Sequence, residues 1–407
     1  MKPLSTPRIC LLTETYYPVV GGGETQARSL AEGLTAQGWQ VLVLTRRSDA
    51  SLPRQEMIGG VPVYRLWPSG TAHWKKWGLL LSSGTALWRL RREYDLIFVS
   101  GFRVVGITAV LLANLLRKRV ILKADSLGEM SGSFFAGGLA RFGLRPGSLP
   151  FRAFLGLRNR ILRRADRFVA ISTVVAEELL AHPVSDERIE RIPNSVDIGR
   201  FHPVSPQKKQ ALRQQLGLPL EAQIVVFSGR LVSYKGLPLL LKVWRDLQTR
   251  FSQASLLLVG SGGLDIDNCE AELRQYVAGH RLETSVLFSG SVSNVEDYLQ
   301  ASDIFVFPTE NEAFGISLIE AMACGLAVIG TAVGGVQDIL ENGRTGLLIP
   351  PGDFEPLAAS LTRLLADAHL RQRLGTAARQ QVEARYSHDQ VIRRYANLFG
   401  IPWQNCC

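Results

Sequence analysis

The sequence predicts an α/β protein made of two Rossmann-like doubly wound domains facing across a cleft. Three observations carry that prediction. Short apolar runs rich in Val, Ile and Leu alternate with helical stretches along the whole chain, the pattern of parallel strands buried on both faces. The series runs once to about residue 200 and then starts again. With 407 residues and 46% hydrophobic content, the chain has the material for more than one core.

In the first series, residues 8–13 (Arg-Ile-Cys-Leu-Leu-Thr) read as a buried strand and residues 25–37 as a helix stopped by Gly38. Between them lie Gly21-Gly22-Gly23, where the missing side chains let backbone approach another molecule and open a helix N-terminus. Further strands are expected at residues 41–44, 61–64, 95–99, 120–122 and 167–171. Residues 199–206 lose the periodic pattern and carry two prolines, which sets the boundary between a first domain, 1–200, and a second, 201–385. The second series places strands at 224–227, 255–259, 286–288, 304–307, 327–329 and 346–349. Residues 386–407 follow as one more helix and a tail, expected to cross back onto the first domain. In such sheets, ligands bind beyond the strand C-termini, so function is expected in the cleft between the domains.

Charge is unevenly placed. Residues 1–200 hold 28 Lys and Arg against 16 Asp and Glu, whereas the remainder holds 18 against 20. Five cysteines show neither metal-ligand spacing nor a disulfide framework, the usage of a protein in a reducing cytoplasm. The apolar run 104–116 is too short to span a bilayer, and residues 1–8 are polar and lead straight into a strand. The six histidines form no metal-spaced pair, and Asp265-Ile266-Asp267 reads as a polar loop, so no metal and no cofactor is expected.

The chemistry concentrates in residues 310–325. An apolar strand ended by Pro308 passes through a loop with Glu312 into a helix beginning near Gly315, with Glu320 inside that helix. Carboxylates accept several charge-assisted hydrogen bonds from sugar hydroxyls, and the free amides of Phe314, Gly315 and Ile316 at a helix start suit an anion. Residues 229–236 leave a strand and bring Arg230 and Lys235 to its C-terminal edge, a pair suited to neutralising a pyrophosphate without a metal. Residues 192–197, 334–338 and 344–346 add turns at strand ends.

In this order and spacing the segments resemble, over nearly the whole chain, the GT-B retaining glycosyltransferases of family 4 (glycosyl transferases group 1). Residues 312–320 match that family's E-x7-E motif. The resemblance implies that Glu320 binds the nucleotide ribose, that Glu312 contacts the donor sugar, and that the backbone from Ala313 through Phe314 and Gly315 to Ile316 holds sugar or phosphate oxygens. It assigns Arg230 and Lys235 to the diphosphate, and Gly22 and Gly23 to a loop facing it from the first domain. Many members carry a histidine near the position of Lys123. Here the sequence reads Lys123-Ala124-Asp125, and Asp125 is the polar group available to contact the sugar. Asp338 stands where the family often has Glu.

The expected function is transfer of a sugar, with retention, from a nucleotide-diphosphate donor to a glycan or lipid-linked acceptor in cell-surface polysaccharide or glycolipid synthesis. Arg230, Lys235 and Glu312 are the catalytic candidates. The first half adds a possible partner, since residues 141–167 hold eight arginines and one acid, interleaved with Phe142, Phe151, Phe154, Leu155 and Leu157. Residues 73–77 add two tryptophans beside two lysines. Such a surface suits an anionic membrane, on the cytoplasmic face, while no motif for reading nucleic acid is present. An epimerase or phosphorylase on the same scaffold, or a sugar-nucleotide-binding subunit without catalysis, remains an alternative.

Overall fold

A computed structural model describes residues 7–19, 21–70, 75–132, 148–263 and 265–400, the side chains of residues 75–77 excepted. The chain divides into two compact units. One runs to Asn194 and takes in the segment from His388 onward, and the other is Ser195–Ser387. The division thus falls before the 199–206 segment that the sequence pattern picked out. Tyr386, expected in the returning helix, stays with the second unit.

The first unit is an eight-stranded sheet. Its strands are β1 (Ile9–Thr13), β2 (Val41–Arg46), β3 (Gln55–Ile58), β4 (Val61–Leu66), β5 (Leu96–Ser100), β6 (Arg119–Ala124), β7 (Arg167–Ala170) and β8 (Ile189–Arg191). They lie in the order β3-β4-β2-β1-β5-β6-β7-β8, all parallel except β3 against β4. β1, β2 and β5 are buried at every position, because helices cover both faces. Edge strands β3 and β8 are short and half exposed, which is why the apolar-run criterion does not find them.

Ile9, Leu11, Val41 and Val43 pack under the helix Gly22–Ala36 and the helix His388–Gly400. Phe98 meets Tyr395 and Phe399 edge to face, with ring centroids 5.5 and 5.2 Å apart. Arg119 donates to the Phe399 carbonyl at 2.7 Å, closing the end of that last helix. The helix His388–Gly400 is therefore part of the first unit's core.

The second unit is a six-stranded, fully parallel sheet: β9 (Gln223–Ser228), β10 (Ala254–Val259), β11 (Val286–Gly290), β12 (Ile304–Phe307), β13 (Ala327–Thr331) and β14 (Leu347–Ile349). The order β11-β10-β9-β12-β13-β14 reverses direction between β9 and β12. At such a switch point the loops leaving two neighbouring strands turn to opposite faces and open a crevice at the strand C-termini. The two loops at this point are the ones carrying Arg230, Lys235 and Glu312.

Candidate active site

Backbone geometry sets the second unit's crevice. After β9 the chain makes a single 3-10 turn, Ser233–Lys235, and Gly236 (φ 71°) opens the helix Leu237–Gln248. A Cβ on Gly236 would stand 2.0 Å from the Pro308 carbonyl oxygen, so this glycine is what lets the β9 loop lie against the end of β12. Glu310 donates its amide to the Tyr234 carbonyl at 2.8 Å, and the buried Thr309 hydroxyl reaches the same carbonyl at 3.3 Å. These bonds lock the two loops side by side.

Lys235 and Glu312 meet as a result. The Lys235 ammonium donates to Glu312 Oε2 at 2.6 Å, with only 12% and 17% of the two side chains exposed. The same ammonium sits 5.0 Å from the centre of the Phe307 ring. Glu312 turns its other oxygen toward the Phe314 amide at 3.4 Å, and its carbonyl accepts the Gly335 amide at 3.2 Å.

Gly315 (φ 111°) opens the helix Ile316–Ala323, whose first amides have no intrahelical acceptor. Phe314 is buried and meets Tyr386 edge to face at 6.0 Å, while the Tyr386 hydroxyl donates to the Asp338 carbonyl at 3.2 Å. The strand–loop–helix junction is thereby held from behind. Ala313 and Ile316 lie partly exposed on either side of Phe314 and Gly315.

Arg230 is placed differently from Lys235. Its guanidinium pairs with Asp265 and donates to the Tyr234 hydroxyl at 2.7 Å, and most of its side chain is exposed. The polar loop around Asp265 therefore steers an arginine of the site, and Tyr234 links it to the β9 loop. Glu320 keeps partial solvent access, yet burial among its neighbours raises its carboxyl from the ordinary 4.5 to about 7; Arg200 opposes that rise and Glu296 adds to it. Arg200 itself is committed to Glu296 at 2.6 Å. Among the described residues, no hydrogen bond joins Glu320 to Glu312.

Gly22, Gly23 and Asp125 belong to the first unit, at the C-terminal edge of its own sheet. Gly22 and Gly23 lie within the first turn of the helix Gly22–Ala36, not in a loop ahead of a helix starting at Thr25. Gly21 is extended, and Thr25 donates back to its carbonyl at 3.0 Å, which closes that first turn. Asp125 follows β6 and is held on both oxygens: Ser100 donates to Oδ2 at 2.6 Å, and Lys123 pairs with Oδ1. Lys123 is 3% exposed and also donates to the Asn194 side chain at 3.1 Å. Buried Glu129 accepts the amides of Asp125 at 2.9 Å and Phe102 at 2.8 Å, and burial raises its carboxyl to about 7. A Cβ on Gly23 would lie 4.0 Å from Asp125 Oδ2, so the glycine turn and the carboxylate are neighbours.

The tertiary structure also supplies residues that the motifs did not mark. Tyr234, Thr309 and Thr331 build the crevice wall beside Gly334 of the 334–338 turn, and Ser100 and Glu129 join Lys123 around Asp125. The hydroxyls and Glu129 carry no signal in the sequence, because partners far apart in the chain have no common spacing. Among the described residues, no group of three or more His, Cys, Asp or Glu stands ready to hold a metal ion, and no helix is long and apolar enough to cross a membrane.

Two doubly wound parallel-sheet domains in one chain, with acidic and basic loops at a switch point, are the architecture of GT-B glycosyltransferases. Residues 208–381 match the family model of glycosyl transferases group 1, and residues 21–195 match that of the glycosyl transferase 4-like domain. The D-inositol 3-phosphate glycosyltransferase of Pseudarthrobacter chlorophenolicus is 30% identical over 370 residues, which cover 88% of this chain and 85% of that protein. The solved sucrose-phosphate synthase of Thermosynechococcus elongatus superposes with a TM-score of 0.79 at 28% identity, covering 96% of this chain and 98% of that one. HepE of Anabaena, crystallised with UDP and glucose, superposes with a TM-score of 0.78 at 20% identity over 97% of this chain and 100% of its own. The chain belongs to the group 1 glycosyltransferases, of the GT4-like kind and the GT-B fold. Its activity is glycosyl transfer.

Proposed function

We propose that this enzyme moves a sugar, with retention and without a metal ion, from a nucleoside-diphosphate donor to a glycan or lipid-linked acceptor in cell-surface polysaccharide or glycolipid synthesis. The observation that carries the donor assignment is the Lys235–Glu312 pair at the switch point of the second sheet, 2.6 Å apart and largely screened from water. A diphosphate in that crevice takes the Lys235 charge, and Arg230 leaves Asp265 to share it; two cations then stabilise the departing diphosphate in a low-dielectric site. Glu312, released from Lys235, accepts hydroxyls of the donor sugar. The amides from Ala313 to Ile316 offer donors at a helix start for sugar or phosphate oxygens.

The Glu320 carboxylate, with no hydrogen-bond partner among the described residues, would accept the ribose hydroxyls. Within the first unit, Gly22 and Gly23 lie beside Asp125, which would offer a carboxylate to sugar hydroxyls. HepE, also crystallised with UDP-glucose, holds the kind of donor such a crevice suits, and the inositol phosphate enzyme supports transfer to a non-nucleotide acceptor.

Thermal shift against UDP, GDP, ADP and their common sugars tests the reading. A ligand at 100 times its Kd stabilises by about 2.7 kcal/mol. One base should raise Tm in the native enzyme and fail to do so in Glu320→Ala. Equal shifts in both proteins, or none with any base, overturn the donor-site assignment.

A further inference from the structure

We propose that Arg46 is the anion-recognising residue of an acceptor subsite on the first unit, a subsite for a sugar that carries a phosphate or a carboxylate. This deepens the acceptor of the proposed function and rests on it, although its physical basis is separate. Among the described residues four arginines are buried, Arg46, Arg65, Arg158 and Arg213. Three of them are committed. Arg65 donates to Glu56 at 2.8 Å and to the Tyr17 carbonyl at 2.6 Å, leaving only its Nη1 without a partner. Arg158, expected on a basic surface, instead donates inward to the carbonyls of Glu129 at 2.8 Å and Arg103 at 3.0 Å. Arg213 pairs with Asp303 at 2.8 Å and reaches the Ala301 carbonyl at 2.9 Å.

Arg46 is the exception. It is 2% exposed, and its Nε and Nη1 have no hydrogen-bond partner among the described residues. The neighbouring Glu14 offers it only a backbone acceptor, its carbonyl taking the Arg46 amide at 3.3 Å. A guanidinium does not shed its proton, so burying one without an acceptor carries a desolvation cost that a bound anion removes.

The fold brings further donors to the same place. Val41 and Val43 lie under the helices Gly22–Ala36 and His388–Gly400, so strand alternation turns Leu42, Leu44 and Arg46 to the opposite face. The helix Lys75–Arg89 packs against β2 and β4. It joins β4 to β5, two parallel strands of one sheet, and therefore starts at the edge where β2 ends. Its first amides have no intrahelical acceptor and its first turn holds no acid, so this helix start and Arg46 together form a seat for an anion. A Cβ on Gly78 would stand 2.9 Å from Pro68 and 3.0 Å from the Trp67 ring, so the segment leaving β4 folds against the helix start. Arg47 holds that segment beside β2, donating its amide to the Leu66 carbonyl at 2.9 Å and accepting the Gly70 amide at 2.8 Å. Residues 133–147, with Phe142 and two of the eight arginines of the basic stretch, and the side chains of residues 73–77 lie outside the described residues.

Trp67 completes the subsite. It is 65% exposed and stands one residue beyond Leu66, the position that pairs with Arg46. A guanidinium fork and helix amides recognise the oxygens of a phosphate or a carboxylate, and an exposed indole face packs against the C–H face of a sugar ring. An acidic sugar satisfies both, whereas a neutral one leaves Arg46 unpaired.

Thermal shift and calorimetric titration of the full chain test this with glucose 6-phosphate, glucuronate, inorganic phosphate and, as the neutral control, glucose. Glucose 6-phosphate or glucuronate should stabilise the native enzyme more than inorganic phosphate does, and glucose should not stabilise it. Arg46→Met should weaken binding of the acidic sugar at least tenfold, and Arg46→Lys should retain part of it, keeping the charge without the fork. With no anion added, Arg46→Met should melt no lower than the native enzyme, because an apolar chain of similar length replaces a buried unpaired charge. A clearly lower Tm for Arg46→Met in that buffer would make the guanidinium a structural group and overturn the proposal. So would acidic sugars that bind native and Arg46→Met enzymes equally, or that fail to bind the native enzyme. Binding lost in Lys235→Ala but kept in Arg46→Met would assign the anion to the diphosphate loops of the second unit, and a response to inorganic phosphate alone would leave a simple ion site; either overturns the acceptor assignment. Nucleotide-induced shifts read the donor site independently. A nucleotide response without an acidic-sugar response sinks only this subsite, and the converse sinks only the donor reading.

Discussion

Lys235 donates to Glu312 at 2.6 Å although 77 residues separate them, because the loops that carry them leave adjacent strands at the point where the second sheet reverses its order. Removing one partner leaves the other as an unpaired, mostly buried charge. Lys235→Ala is expected to lower turnover by ~10²-fold or more, as loss of a preorganised charge facing a leaving group does. Steady-state kinetics check this once the donor base is known from thermal shifts. Near-normal kcat in the variant would remove Lys235 from the catalytic assignment.

Glu320 makes stability depend on pH in a definite direction. Its folded carboxyl titrates near 7 and its unfolded one near the ordinary 4.5, so the folded state holds the extra proton between those values. Stability therefore falls as pH rises from about 4.5 through 7, which is the sign for a group that must ionise while buried. Glu320→Gln, always neutral, should match the native Tm at pH near 5 and exceed it near pH 8. Arg200 and Glu296, the charged groups that face Glu320, are unchanged in this comparison, as is Glu129 with its own raised carboxyl. An equal Tm difference at both pH values would contradict the assignment.

The glycine after β13 keeps Glu312 in place. A Cβ on Gly334 (φ 45°) would fall 1.8 Å from the Glu312 carbonyl oxygen. Gly334→Ala should displace that loop and reduce nucleotide-sugar affinity at least tenfold. Gly352 (φ 71°) has nothing within 4 Å of its Cβ position, so Gly352→Ala carries the backbone cost, about 1 kcal/mol, and nothing else. Calorimetric titration of both variants with the donor nucleotide separates the two effects; similar affinities would show that the close approach is not what matters.

Asp125 should matter to stability as well as to ligand. Asp125→Ala strands the buried Lys123 ammonium with only the Asn194 amide oxygen, at a cost of about 3 kcal/mol. Lys123→Met combined with Asp125→Asn removes both charges and should recover much of that loss. Urea unfolding midpoints of the two proteins give the comparison. A double variant no more stable than Asp125→Ala would mean that the pair is not what stabilises this edge of the sheet.

The sequence by itself determined the α/β class, the repetition of the doubly wound pattern and the loops that carry the chemistry. Buried parallel strands must be continuous apolar runs, and loops at their ends are marked by Gly, Pro and charge, so both signals are local. Residues 304–307 and 310–325 were legible for that reason. Edge strands β3 and β8 were not, because half-exposed short strands lack the apolar run. The start of the helix at Gly22 was hidden by glycines, which cost little in a first turn whose amides need no intrahelical partner.

Only the tertiary structure decided which loops meet. Strand order brings Lys235 to Glu312 and leaves Arg230 with Asp265 and Tyr234, and no spacing in the chain encodes that choice. It also decided that Phe151 and Leu155, expected on the basic surface, pack against Val104 instead, while Leu157 stays exposed as expected. The physical reason is the same in each case: pairing and burial depend on which elements are neighbours in the sheet, a long-range property that hydrophobic period and local propensity do not contain.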